Sequence, residues 1–164
     1  MKLKQITPWM TSRNMSRLIK SQTIKSWLLE KGPITKRISK NYEFELNLLK
    51  DDIASINQEE RDFLCHDDRD IKVREVILLA DRSPLVYAKS LIPSATIKHG
   101  FAELGKLGRK PLGDILFEKE IFFKTNVMYA EFLYNENIFW GRKTRYLVKE
   151  LPLSVMEVFL LDEK

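Results

Sequence analysis

The stretch VREVILLADRSPLVYAKSLI, residues 73–92, decides the fold of this chain. It contains two runs rich in Val, Ile and Leu, 73–80 and 85–92, on either side of the polar residues 81–84. Asp, Ser and Pro between two β-prone runs are typical of a hairpin turn. We therefore predict a β-hairpin here, with its second strand ending at Pro93.

On the C-terminal side of the hairpin, residues 94–117 are interrupted by four Gly and one Pro. This composition predicts short helices separated by tight turns. Three extended patterns follow at 121–133, 138–149 and 153–161, with short polar connections between them. Consecutive strands with short connections favour an antiparallel sheet, and helices grouped between runs of strands favour the α+β class.

On the N-terminal side, residues 21–31 have one apolar helical face, and Gly32 and Pro33 end that helix. Residues 34–49 are predicted to be extended, because apolar side chains alternate with polar ones from Tyr42 to Leu48. Residues 51–70 are polar and irregular, with a short helix predicted at 57–65. We interpret this region as a surface excursion of the kind that often serves as a lid.

The charge of the chain is unevenly distributed. The net charge is +5, and residues 1–40 contain ten Lys or Arg against one acid, Glu30. Such a region indicates affinity for nucleic acid or for an anionic membrane surface. We predict one domain over residues 1–164, in which residues 1–20 form a basic N-terminal segment.

Cysteine content and targeting signals indicate the compartment. The single cysteine, Cys65, cannot form an intramolecular disulfide or a Cys-rich zinc site. The basic N-terminus lacks the apolar stretch and cleavage site of a secretory signal, and no apolar run approaches the length of a membrane span. We therefore expect a cytoplasmic protein.

The last predicted strand places a carboxylate in the middle of an apolar face. The residues on that face are Leu153, Val155, Glu157, Phe159 and Leu161. A buried carboxylate requires a partner, so Glu157 is a candidate site residue. In the hairpin, Arg74 and Glu75 are adjacent and one of them must point inward. Two interpretations stay open: a structural ion pair, or a site where Arg binds a carboxylate and Glu a hydroxyl.

Other polar clusters are weaker candidates. Residues 65–68, CHDD, include metal-capable side chains without a second set at ligand spacing, and favour a surface loop. The stretch 105–110 contains two glycines but matches no phosphate-binding motif. The basic run RKTR at 142–145 predicts a strand with charges on both faces, in contact with solvent.

The order and spacing of several segments resemble those of the chorismate lyase family. The segments that carry the resemblance are WLLE (27–30), ITKR (34–37), REV (74–76), LGKL (104–107), PLGDILF (111–117), WGRKTR (140–145) and MEVFL (156–160). Together they cover most of the chain. No segment is diagnostic by itself.

The resemblance implies a fold and a site. The fold is a single antiparallel sheet, here of about six strands, with helices on one side and flap segments over a buried pocket. Arg74 matches the arginine that holds the ring carboxylate, and Glu157 matches the glutamate that meets the 4-hydroxyl. Backbone N–H groups at positions matching Ile34 and Leu112 complete the pocket.

The implied activity is that of a carbon–oxygen lyase, which eliminates pyruvate from chorismate to give 4-hydroxybenzoate for ubiquinone biosynthesis. The reaction requires no metal, nucleotide or covalent nucleophile, so no cofactor is expected. The substrate has two carboxylates, and Lys89 is the candidate for the enolpyruvyl one, at a position where the family usually has Arg. Whether Glu157 acts as a base or only as a hydrogen-bond partner stays open.

Two other functions stay open. The same fold resembles the effector-binding domain of bacterial transcription regulators, which implies a non-catalytic domain that binds an aromatic carboxylate. The other is a nucleic-acid or membrane-surface binder that acts through the basic residues 1–40. The basic segment 1–20 also indicates a weak association with an anionic membrane surface. We expect a monomer whose partners are chorismate and 4-hydroxybenzoate, with no nucleic-acid partner.

Overall fold

The computed structural model describes residues 1–162, whose strands form one antiparallel sheet. The strands are β1 (Lys4–Gln5), β2 (Phe44–Ala54), β3 (Ile71–Ala80), β4 (Ser83–Pro93), β5 (Phe122–Tyr134), β6 (Asn137–Val148) and β7 (Leu151–Phe159). Their order across the sheet is β1-β5-β6-β7-β4-β3-β2. Two meanders, β2–β3–β4 and β5–β6–β7, are therefore joined where β4 pairs with β7. The predicted α+β class and antiparallel sheet are confirmed.

Five α-helices accompany the sheet in the described part of the chain. They are α1 (Ser12–Leu18), α2 (Gln22–Leu28), α3 (Ile34–Asn41), α4 (Gln58–Leu64) and α5 (Leu112–Glu118). A π-helical turn at Thr96–Gly100 and a 3₁₀ turn at Ala102–Lys106 precede α5. The short helices predicted for 94–117 are confirmed, as is the helix predicted at 57–65. Within residues 1–162, no helix is long and apolar enough to cross a membrane.

The predicted hairpin is present, and its turn is tighter than the sequence indicated. Ala80 pairs with Ser83, so the turn consists of Asp81 and Arg82 alone. Both residues have positive φ, 48° and 67°. Two residues with positive φ give a turn whose twist matches that of the flanking strands.

One predicted strand is partly wrong, because residues Ile34–Asn41 form α3. Ile34 and Ile38 are four residues apart and both are buried, which is the spacing of one helical face. The alternation of polar and apolar side chains describes only β2, which begins at Phe44. β2 also continues to Ala54, so the irregular region is shorter than predicted.

The sheet has two covered faces. The face that carries Val76, Ala88 and Phe159, here called the front face, packs against α1, α2 and α3. Further along the same face, α5 and the preceding turns cover the region around Tyr146 and Leu153. Most helices are thus on the predicted single side.

The opposite face, here called the back face, is covered by α4 and by the N-terminal residues. Leu64 of α4 packs with Val73 and Leu91, while Leu3 and Trp9 pack against a cluster that contains Phe132. The chain then crosses the β5 edge, since Met10 pairs with Tyr129 and α1 lies on the front face. The basic segment 1–20 is therefore part of the fold.

Candidate active site

A cavity lies between the front face of the sheet and the first turns of α3 and α5. Its floor is made by five adjacent strands, β6, β7, β4, β3 and β2, and small residues occupy the centre. Across the sheet, Ala88 of β4 pairs with Val76 of β3 on one side and with Glu157 of β7 on the other. One step along, Ser90 lies between Arg74 and Val155. Because β4 contributes only small side chains here, space remains between the two charged residues on either side.

Arg74 is almost fully buried at one end of this floor, with 2% of its surface exposed. Its guanidinium donates to the carbonyl oxygens of Gly108 at 2.7 Å and Lys110 at 2.8 Å, and lies 3.5 Å from Asp51. Burial lowers the pKa of Arg74, although Asp51 opposes the shift. Arg74 therefore lines the cavity and also holds the loop that leads to Leu112.

Glu157 lies on β7, two strands from Arg74, and forms an ion pair that the sequence did not predict. Arg142 of β6 is its direct cross-strand neighbour and donates from Nε to Oε1 of Glu157 at 2.9 Å. Burial opposes the charge of Arg142, but the charge and hydrogen bond of Glu157, together with Tyr146 and Tyr129, offset burial and raise the pKa of Arg142. No hydrogen bond reaches Oε2 of Glu157 from any residue in 1–162, so this oxygen is free to accept one.

The roof of the cavity is formed by two helix starts. Ile34 and Leu112 are the first residues of α3 and α5, and each follows a proline that provides no side-chain cap. The first N–H groups of a helix have no acceptor within the helix. Both residues line the cavity, so the structure places these backbone donors beside it.

The two helices that form the roof are tied to each other. Thr35 Oγ1 of α3 donates to Asp114 Oδ1 of α5 at 2.5 Å. The α2–α3 connection is also attached to the sheet, because Nη1 of Arg142 on β6 donates to the carbonyls of Leu28 at 2.9 Å and Glu30 at 2.8 Å. The segments that cover the cavity are thus held in place by side chains.

Tyr146 is the remaining titratable residue in the cavity lining. Burial, followed by the charge of Glu157, raises the pKa of Tyr146 to about 12, against the opposing effect of Arg142. Tyr146 is therefore a neutral donor at physiological pH. The cavity combines two guanidinium groups, one carboxylate, one phenol and the hydroxyls of Thr35 and Ser90 in a lining that is otherwise mostly apolar.

Lys89 is the one predicted site residue that the structure does not bring to this cavity. It lies on the back face, where its Nζ is 2.7 Å from Glu60 Oε2 of α4. Neighbouring strand residues alternate between faces, so the placement of Ala88 and Ser90 on the front face puts Lys89 behind it. Lys89 lines a second cavity, which also includes Lys143 and Trp9.

The strand predicted at 142–145 is confirmed as part of β6, but the prediction that its charges contact solvent is wrong, since Arg142 and Lys143 are only 7% and 8% exposed. Arg142 points to the front face and Lys143 to the back face, where its Nζ lies 4.4 Å from the Trp9 ring and 4.2 Å from the Phe63 ring. One signal was available in the sequence. Trp140 and Tyr146 share the parity of Arg142, and an arginine between buried aromatics on one face requires a partner.

The weaker candidates have structural roles. Cys65 follows α4 with a positive φ of 56°, and His66 accepts a hydrogen bond from the N–H of Asp68. Asp68 in turn accepts from the N–H of Ala95 at 2.9 Å. Among residues 1–162, no three His, Cys, Asp or Glu side chains form a group that could hold a metal ion.

Comparison with known proteins identifies the family. The family model described as chorismate lyase matches residues 3–163. The chain belongs to the chorismate lyase family. A relative named "Chorismate pyruvate-lyase" from Pectobacterium atrosepticum is 31% identical over 140 residues, covering 84% of this chain and 76% of the relative. One named "Probable chorismate pyruvate-lyase" from Photobacterium profundum is 29% identical over 150 residues, covering 89% and 82%.

The chorismate lyase fold is shared with a solved structure of different description. The structure titled "possible transcriptional regulator YydK from Bacillus subtilis" matches with a TM-score of 0.56 and 12% sequence identity. The match covers 96% of this chain and 87% of that one. At this identity the likeness concerns the fold alone.

Proposed function

We propose that this protein is a chorismate pyruvate-lyase, which converts chorismate to 4-hydroxybenzoate and pyruvate without a cofactor. One observation carries the proposal: a cavity presents a buried arginine and a carboxylate from opposite sides of a floor of small residues. Family membership supports the same activity. The cavity matches a ring that carries a carboxylate at one end and a hydroxyl at the other.

The spacing of the two charged residues suits such a ring. Arg74 and Glu157 are two strands and one side-chain step apart. This corresponds to roughly 10 Å across the sheet and about 7 Å along it between their Cα atoms. Both residues line the cavity, and only the small residues Ala88 and Ser90 of β4 lie between their strands at this point.

In the proposed complex, Arg74 binds the carboxylate on C1 of chorismate, and the free oxygen of Glu157 accepts from the hydroxyl on C4. The backbone N–H groups of Ile34 and Leu112 donate to the ligand from the roof. These contacts hold the ring in one orientation and replace its water, so that binding supplies much of the catalysis.

The reaction itself requires few further groups from the protein. The bond between C3 and the ether oxygen breaks, and its electron pair stays on the enolpyruvyl oxygen. The hydrogen on C4 leaves and ends on the departing group, which becomes pyruvate, while the ring becomes aromatic. Positive groups near the departing oxygen stabilise the charge that develops there.

The proposal is tested by incubating the purified protein with chorismate and measuring 4-hydroxybenzoate by chromatography and pyruvate with a coupled dehydrogenase. We expect both products in equal amounts, at a rate proportional to protein concentration. Product formation no faster than in buffer would exclude the activity. Tight binding of 4-hydroxybenzoate without turnover would instead favour a non-catalytic domain that binds aromatic carboxylates.

We also propose that the protein is a cytoplasmic monomer whose product enters ubiquinone biosynthesis. In addition, its exposed N-terminal cations favour weak association with anionic membranes, where long-chain quinones are assembled. Light scattering after size exclusion tests the monomer, and a mass above that of one chain would contradict it.

A further inference from the structure

The structure leaves the second carboxylate of chorismate without the lysine that was predicted for it, since Lys89 lies on the back face. The site therefore needs another cation. Arg142 is the other guanidinium that lines the front cavity. Its hydrogen bonds, the charges around it and the geometry of the substrate all bear on this role.

The hydrogen bonds of Arg142 leave part of its guanidinium unused. Nε donates to Glu157, and Nη1 donates to the carbonyls of Leu28 and Glu30. Nη2 donates to no acceptor in residues 1–162. It is also not among the fully buried polar atoms that lack a hydrogen-bond partner, so it is accessible. Nη2 therefore keeps two N–H groups available, and Arg142 lines the cavity, where an acceptor would be expected.

The surroundings of Arg142 have an excess of positive charge. Lys124 lies close enough that burial, followed by the charges of Arg142 and Lys31, lowers the pKa of Lys124, while Glu157 opposes the shift. Lys124 and Lys31 do not line the cavity, but both add positive charge near the pair formed by Arg142 and Glu157. Added positive charge near this pair favours an anion at that place.

The geometry of chorismate decides which of its groups reaches this end. The C1 carboxylate and the C4 hydroxyl are on opposite sides of the ring, while the enolpyruvyl ether on C3 is next to C4. If Arg74 holds the carboxylate and Glu157 the hydroxyl, the enolpyruvyl group must lie beside Glu157. Arg142 is the cross-strand neighbour of Glu157.

We propose that Arg142 binds the enolpyruvyl group of the substrate, with Nη2 donating to its carboxylate while Nε orients Glu157 toward the C4 hydroxyl. This inference rests on the proposed lyase function. Arg142 then serves as the second carboxylate-binding residue. The same guanidinium stabilises the negative charge on the enolpyruvyl oxygen as the C3–oxygen bond breaks.

The test compares two variants of Arg142 with two ligands. Arg142→Met removes the charge and keeps much of the volume, and Arg142→Lys keeps a cation but loses the planar fork. For each we would measure kcat/KM for chorismate and the Kd of 4-hydroxybenzoate, which lacks the enolpyruvyl group. Arg17→Met, on the exposed surface of α1, is the matched control for loss of one positive charge.

For Arg142→Met we expect kcat/KM for chorismate to fall by about 10²- to 10³-fold, as for removal of one donor to a developing oxyanion. The Kd of 4-hydroxybenzoate should rise by less than about tenfold, because the product keeps its contact with Arg74. Arg142→Lys should recover at least part of the lost kcat/KM. Arg17→Met should behave as wild type.

Several outcomes would overturn the inference. An equal loss of product affinity and of kcat/KM would mean that Arg142 only positions Glu157. A rise in KM for chorismate with Lys89→Met but not with the Arg142 variants would show that Lys89, and not Arg142, binds the enolpyruvyl carboxylate. If Arg142→Met does not fold, the Arg142→Lys variant decides by the same comparison. A wild-type protein without any turnover would instead refute the proposed function itself.

Discussion

At the scale of single residues, Glu157 shows what a sequence pattern can reveal about a site. A carboxylate on an apolar strand face indicates either an ion-pair partner or a ligand. In Glu157 one oxygen accepts from Arg142, and the other is free to accept from a ligand. Arg74 shows the same double character, because it lines the cavity and also donates to Gly108 and Lys110. The two interpretations that the sequence left open are therefore compatible.

The first prediction concerns these two residues. We expect Arg74→Ala and Glu157→Ala each to lower kcat/KM for chorismate by about 10²-fold or more, because each removes a charged contact to the bound ring. Thermal unfolding should show that both variants remain folded. If both turn over chorismate at the wild-type rate, the site lies elsewhere.

The second prediction concerns Lys143 on the back face. Burial lowers the pKa of Lys143, although Glu59 and Glu60 oppose the shift. Between that lowered pKa and the unfolded value of about 10.4, the unfolded chain binds more protons, so stability rises with pH. Lys143→Met should abolish this contribution.

The measurement is urea unfolding of wild type and Lys143→Met at several pH values from 7 to 10. We expect the stability of the wild type relative to the variant to increase with pH over this range. Both cation–π contacts of Lys143 favour its charged form, so they reduce the rise. A constant difference between the two proteins would show that Lys143 does not change its proton affinity on folding.

At the scale of elements, the hairpins were predictable and α3 was not. Each hairpin combines a local turn with local strands, so its signal is complete within about 20 residues. α3 is short, follows Pro33, and buries only Ile34, Thr35 and Ile38. Its helical state depends on packing against the sheet and on α5, which are distant in sequence.

The third prediction concerns the tie between α3 and α5. Thr35→Val removes the hydroxyl that donates to Asp114, at a loss of about 1 kcal/mol, which corresponds to about fivefold in an equilibrium constant. We expect 4-hydroxybenzoate to bind about fivefold more weakly and to dissociate faster, because the roof of the cavity opens more readily.

Stopped-flow measurement of product dissociation checks this prediction, with Asp114→Asn as the control. An asparagine oxygen still accepts from Thr35, so this variant should release product at nearly the wild-type rate. Equal effects of the two substitutions would show that the tie needs the charge of Asp114 and that a neutral acceptor does not replace it.

At the scale of the whole molecule, the sequence could not show that its basic N-terminus belongs to the fold. Met15 and Ile19 are buried in the core, whereas Arg13 and Arg17 on the same helix are exposed. Deleting residues 1–20 would therefore remove core side chains along with the charges. The choice of face for Arg142, Lys143 and Lys89 likewise depends on the register of the complete sheet.

The fourth prediction concerns this exposed charge. We expect weak sedimentation of the protein with vesicles that contain anionic lipid, and none with neutral vesicles. The double variant Arg13→Gln, Arg17→Gln should bind roughly 25-fold more weakly, at about 1 kcal/mol for each charge. Binding that does not change in the variant would refute a role for these residues.

The pairing of β4 with β7 also has a consequence for how the protein folds. Arg74 comes from the first meander, while Arg142 and Glu157 come from the second. Each meander consists of local pairings, whereas the β4–β7 pairing closes a loop of about 70 residues between its partners. The two halves of the substrate pocket can therefore form separately and early, but ligand binding must await the slow, long-range step that joins them. A refolding chain would recover its strands first and its affinity for 4-hydroxybenzoate last.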